Sequence, residues 1–125
     1  MKTIITAKNA PAALGPYNHA IEANGFVFTS GQLGIDPATG KMPEDVEAQA
    51  KQAFSNLAGV LEAAGCTLKD VVKCMVFLQN IGDFAAVNAI YAEAYGSEFP
   101  ARSCVEVAKL PGGALVEIEA IAVRP

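Results

Sequence analysis

The chain has 125 residues, which supports a single hydrophobic core and therefore one domain over residues 1–125. Its formal charge of −4 argues against a nucleic-acid-binding role, which needs a basic face. Only 18% of residues are charged against 52% hydrophobic, an apolar surplus that predicts burial of part of the surface against another subunit.

At the N-terminus, MKTIITAKNAPAAL holds neither a long apolar core nor a cleavage site, and Thr3–Thr6 reads as a short strand. Residues 17–33 contain two β-prone runs around Asn24-Gly25, the strongest short hairpin signal. GIDPATGKMP, residues 34–43, is dense in turn formers and predicts a loop. From Glu44 to Ala64 the period becomes helical, with Val46, Ala50, Ala53, Leu57, Leu61 and Ala64 on one stripe. Glu44, Asp45 and Glu47 suit the positive end of that helix, and Gly65 closes it. Residues 70–80 are β-branched and aromatic, a buried strand. Asp83 is placed to cap a second helix, 84–95, whose Phe84, Val87, Ile90, Tyr91 and Ala94 share a face before Gly96 ends it. Residues 101–123 then read as two strands paired around a turn at Pro111–Ala114.

No stretch approaches the ~18 apolar residues of a spanning helix. Cys66, Cys74 and Cys104 are odd in number and far apart, so neither a disulfide framework nor a zinc site is indicated. The expectation is a reduced, soluble, cytoplasmic protein without a membrane partner.

Five or six strands and two helices predict an α+β sandwich with a mixed sheet and both helices on one face. The opposite face has no cover within the chain, so it is either wet or covered by a partner. In the last strand Val116, Ile118, Ala120 and Ala122 form a core row, and Glu117, Glu119, Ile121 and Val123 form the other. Pairing as a hairpin puts Val105 and Val107 of the preceding strand in the core row. Arg102, Cys104 and Glu106 then join Glu117 on the helix-free face. An arginine, carboxylates, a thiol and bulky apolar groups together point to an interface containing a small polar pocket.

APAALGPYNHAI, FVFTSGQLGIDPATG, DVVKCMVFLQNIGDFAAVNAIYAEAYG and FPARSCVEVAKLPGGALVEIEAIAV occur in this order. With them the chain resembles the RidA (YjgF/YER/UK) family of enamine/imine deaminases over nearly its whole length. The resemblance implies a chorismate-mutase-like α+β fold assembled as a homotrimer. The three sheets then face inward as a barrel, with an active site in each cleft between subunits. It also implies that Arg102 clamps a substrate carboxylate and that Glu117 orients and activates water. Tyr17 would come from the neighbouring chain, and Ser30, Gly31, Asn88 and Cys104 would line the pocket. The implied substrates are small 2-imino acids, hydrolysed to 2-oxo acids and ammonia.

Elementary chemistry is compatible with those roles. A guanidinium fork fits a carboxylate bidentately where lysine is weaker in geometry. An iminium carbon is already electrophilic, so its hydrolysis needs an oriented water, a proton acceptor and later a proton donor. No metal, cofactor or nucleophilic triad is required. Plainer readings stand beside these. Arg102 would be an ion-pair partner of Glu106 or Glu119, and Glu119 a solvated or interface carboxylate. Cys104 would be an inert pocket wall, Tyr17 a core aromatic, Asn88 a backbone partner, His19 structural and Gly112-Gly113 turn chemistry. Two other functions remain in view: an RNA-cleaving translation inhibitor, an activity ascribed to relatives, and a non-catalytic small-ligand-binding or holdase trimer.

Overall fold

A computed structural model describes residues 1–125. The elements are β1 (Thr3–Ile5), β2 (Ala20–Ala23), β3 (Phe26–Thr29), β4 (Gln32–Leu33), α1 (Val46–Ala63), β5 (Val71–Leu78), α2 (Phe84–Tyr95), β6 (Ala101–Glu106) and β7 (Val116–Val123). Asn24 and Gly25 take φ of 53° and 81°, the left-handed pair that closes a tight hairpin, and Ala23 lies opposite Phe26. Asp45 caps α1 by accepting the Ala48 N–H at 3.0 Å, a contact worth about 1 kcal/mol. Asp83 makes no such bond. A 3-10 turn, Ile81–Asp83, runs straight into α2 and is capped by Asn80, which accepts the Gly82 N–H at 2.8 Å. The start signal for α2 therefore sits upstream of the expected residue.

The strands form one mixed sheet in the order β1-β2-β3-β7-β5-β6, with β4 also beside β7. The expected hairpin between the last two strands does not form. β6 runs parallel to β5, reached through α2, and β7 inserts antiparallel between β3 and β5. A strand–helix–strand segment favours this parallel pairing, because the helix supplies the crossover that parallel neighbours need. The β6–β7 connection crosses the end of β5 instead of turning back. Val107 donates its N–H to the Leu78 carbonyl at 2.9 Å, and Gln79 donates its N–H to Leu115 at 3.1 Å. The Gln79 side chain holds the crossing by donating to the Ala108 carbonyl and accepting from the Leu110 N–H.

This topology reverses the faces of β6. Arg102, Cys104 and Glu106 lie opposite Cys74, Val76 and Leu78, all fully buried toward the helices. The helix side therefore receives the arginine and the thiol, and Val105 is 41% exposed on the other face. β7 follows expectation: Val116, Ile118, Ala120 and Ala122 are buried, while Glu117, Glu119 and Ile121 are half-buried on the helix-free face.

One core cluster joins both helices to the sheet, with Leu57, Leu61, Val76, Leu78, Val87 and Ile118 deep within it. The helix-free face is largely apolar and uncovered. Ile4 is 58% exposed, Phe26 42%, Phe28 45% and Val123 39%. Across its centre Phe77 lies opposite Glu117, Met75 opposite Glu119 and Lys73 opposite Ile121. No helix is long and apolar enough to cross a membrane.

Candidate active site

The expected site residues fall into two groups, on opposite faces of the sheet with β5 between them. The first group is built around a break in the β3–β4 edge. Phe28 lies opposite Ile121 but Gln32 lies opposite Ile118, so residues 29–31 face only residues 119–120. Such a bulge re-aims side chains. The Thr29 hydroxyl accepts the Ala120 N–H at 3.0 Å and fills the gap in the ladder. Gly31 sits in this break directly against the Glu117 carboxyl. A Cβ at position 31 would stand 2.8 Å from Cδ and Oε2 of Glu117. Only a residue without a side chain leaves the carboxyl where it is.

Ser30 ties this break to the N-terminal loop. Its N–H donates to the His19 carbonyl at 2.9 Å and its hydroxyl to the Asn18 carbonyl at 2.6 Å. Tyr17, half exposed, directly precedes this tied segment. His19 is buried and fully committed: Nδ1 accepts the Ala7 N–H and Nε2–H donates to the Pro11 carbonyl, both at 2.8 Å. It fastens the loop and has no nitrogen free for chemistry. Tyr17, Ser30, Gly31, Leu33, Pro111 and Glu117 all line one open cleft of about 740 Å³. Burial, reinforced by the like charge of Glu119, pushes the Glu117 carboxyl above the usual carboxylate range. A carboxylate destabilised in this way is a stronger proton acceptor.

The second group lies under α2. Arg102 donates from Nη1 to Asn88 Oδ1 at 2.6 Å, and its guanidinium stands 4.7 Å from the Tyr91 ring centre and 5.4 Å from that of Phe84. Asn88 is thus a partner of the arginine side chain, not of backbone. The only ion pair in the molecule is Arg124 with Glu22, so Arg102 has no carboxylate partner within the chain. Cys104 lies two residues along the same row, half-buried against the core. Burial pushes its thiol up more than Arg102 draws it down, which leaves it protonated and a poor nucleophile. No cluster of three His, Cys, Asp or Glu side chains could hold a metal ion.

The chain therefore brings Tyr17, Ser30, Gly31 and Glu117 together, and separately Asn88, Arg102 and Cys104. It does not bring Arg102 to Glu117. The expectation that both share the helix-free face is corrected by the β6 register. Sequence reading also placed Phe84 and Tyr91 only as core-facing positions of α2. Their spacing with Asn88, four and three residues apart, puts all three on one stripe and was the available signal.

The family model described as Endoribonuclease L-PSP matches residues 7–124. The chain is 56% identical to a RutC family protein of Synechocystis, over 100% of this chain and 98% of that protein. It is 52% identical to the 2-iminobutanoate/2-iminopropanoate deaminase of Salmonella typhimurium, over 99% of each. The crystal structure of E. coli TdcF with bound serine superposes with a TM-score of 0.93 at 41% identity, covering 98% of this chain and 99% of that one.

The chain belongs to the RidA/YjgF family. Within that fold, Arg102 and Glu117 lie on different faces of the sheet.

Proposed function

We infer that this RidA family chain is a 2-iminobutanoate/2-iminopropanoate deaminase, working as one domain in a homotrimer. Each site is completed between subunits, with Arg102, Asn88 and Cys104 from one chain and Glu117, Gly31, Ser30 and Tyr17 from the next. The observation that carries the reading is the separation of an unpaired guanidinium from a carboxyl with a raised proton affinity. Each is half of a site for an acid bearing an imine, and neither is finished within its own chain. The apolar helix-free face supports the assembly, since three copies facing inward as a barrel cover Ile4, Phe26, Phe28 and Val123. The deaminase of Salmonella typhimurium and the serine-bound TdcF structure support a small amino-acid-like ligand.

In this reading the free edge of Arg102 takes the substrate carboxylate bidentately. Glu117 accepts a proton from water as its oxygen attacks the imine carbon, and a tetrahedral carbinolamine forms. With the imine entering protonated at nitrogen, Glu117 then returns that proton to the carbinolamine amine. The C–N bond breaks with its electron pair to release ammonia, and the hydroxyl gives its proton back to Glu117 as it becomes the carbonyl of the 2-oxo acid. An enamine first takes a proton at its terminal carbon to become the same imine. The reduced thiols are compatible with action in the cytoplasm.

The ribonuclease alternative is disfavoured by His19. The only imidazole is buried with both nitrogens bonded to backbone, so it cannot supply the acid–base chemistry RNA cleavage needs. A coupled assay tests the deaminase reading, with threonine dehydratase generating 2-iminobutanoate from threonine. Addition of the protein should accelerate 2-oxobutanoate release. An unchanged rate contradicts it. Sedimentation at micromolar concentration should give three times 13.0 kDa, and a monomer contradicts the shared site.

A further inference from the structure

We propose that Phe84 and Tyr91 are positioning residues that hold the Arg102 guanidinium between two aromatic faces with its outer N–H edge left free for the substrate carboxylate. The proposal rests on the assignment of Arg102 as the carboxylate anchor.

The observation behind it is how Arg102 is held. A half-buried arginine is normally fixed by a carboxylate, and that carboxylate occupies the same fork a substrate would need. Here no carboxylate is within ion-pair distance. The guanidinium is retained by the ring of Tyr91 at 4.7 Å, the ring of Phe84 at 5.4 Å and the neutral oxygen of Asn88 at 2.6 Å. Ring faces attract the cation through their quadrupole and consume none of its N–H groups. The amide consumes one. The arrangement fixes the position of the charge without neutralising it.

The Tyr91 phenol adds no counter-charge. Burial pushes it up to about 12, with the neighbouring Cys74 adding to the shift, so it stays protonated wherever the enzyme works. Its hydroxyl is buried and makes no hydrogen bond of good geometry, although the Cys74 thiol lies beside it. What Tyr91 offers Arg102 is therefore its ring. That ring is itself fixed, since it packs at 5.8 Å on Phe54 and at 4.7 Å on Tyr95. Phe84 is 38% exposed at the start of α2, where its removal leaves no core cavity. The two rings thus link the anchor to the core on one side and to the surface on the other.

The test compares 2-oxobutanoate affinity by calorimetry with KM and kcat for 2-iminobutanoate in Phe84→Leu, Tyr91→Leu, Tyr91→Phe and Arg102→Ala. The two leucine variants should raise both Kd and KM by about three- to ten-fold each, with kcat at saturation largely held. Tyr91→Phe, which restores the ring, should restore the affinity. If Tyr91→Leu does not fold, Phe84→Leu decides alone. Unchanged Kd and KM in the leucine variants overturn the proposal. An equal loss in Tyr91→Phe and Tyr91→Leu overturns it too, since the hydroxyl would then matter and not the ring. Arg102→Ala separates this proposal from the reading beneath it. Affinity lost there but kept in the leucine variants contradicts the aromatic clamp alone. Affinity unchanged in Arg102→Ala contradicts Arg102 as the anchor, and the clamp falls with it.

Discussion

The surroundings of Arg102 and of Glu117 are opposite in electrostatic character. Arg102 is held by aromatic faces and a neutral amide, which favour the cation and leave it without a counter-ion. Glu117 is crowded by the Gly31 backbone, partly buried and beside Glu119, which disfavours the anion. The first environment favours a positive charge, and the second favours a bound proton. Groups so complementary would ordinarily pair, but the topology keeps them on opposite faces with β5 between. In the proposed trimer, that separation within the chain lets the two meet across a substrate from neighbouring copies.

The contrast can be broken most severely at the base. Glu117→Gln preserves shape but cannot take a proton, so imine hydrolysis should fall by about 10²–10⁴-fold. Calorimetry should show that affinity for 2-oxobutanoate survives. Parallel loss of affinity would mean that Glu117 merely orders Arg102. On the other side, Arg102→Lys keeps the charge and loses the bidentate fork. It should lower kcat/KM by about ten- to a hundred-fold while the melting temperature holds. Near-normal turnover would make the arginine structural.

A smaller effect sharpens the comparison at Gly31. Gly31→Ala puts a methyl group 2.8 Å from the Glu117 carboxyl, which must swing aside. Its flexible end can do so without unfolding the sheet, and displacing the base should cost about ten-fold in kcat. Turnover equal to that of the parent protein would show that the carboxyl position does not matter.

The smallest effect is on stability. A raised folded-state pKa means that folded Glu117 binds its proton more tightly than unfolded Glu117 does. Its contribution is fully present below the unfolded pKa and is lost as pH rises through the folded one. Relative to the parent, Glu117→Gln should therefore gain stability on going from acid to neutral pH. Thermal melts across that range check the sign. The same shift places the acid limb of the pH–rate profile above that of an ordinary glutamate.

Much of this was legible in the sequence because it is local. Helical periodicity gave α1 and α2, Asn24-Gly25 gave the β2–β3 hairpin, and alternation in Val116–Val123 gave both rows of β7. The faces of β6 were not legible, because its row depends on which strand it pairs with. Adjacency along the chain favoured a hairpin with β7, whereas the α2 crossover brought β6 beside β5 and reversed its parity. Arg102 was therefore recognised by residue type and motif but placed on the wrong face. The bulge at residues 29–31 was equally hidden, since it exists only as a mismatch between two distant segments.

The shared site is tested most directly by mixing two inactive proteins. Arg102→Ala and Glu117→Gln chains, unfolded together and refolded as mixed trimers, would form some sites with an intact arginine from one chain and an intact glutamate from another. The account predicts that activity returns, to about a quarter of the native level for random mixing in a closed ring. Each variant refolded alone should remain inactive. Mixed trimers that form, as shown by mass, yet stay as inactive as their parents would contradict a site divided between subunits.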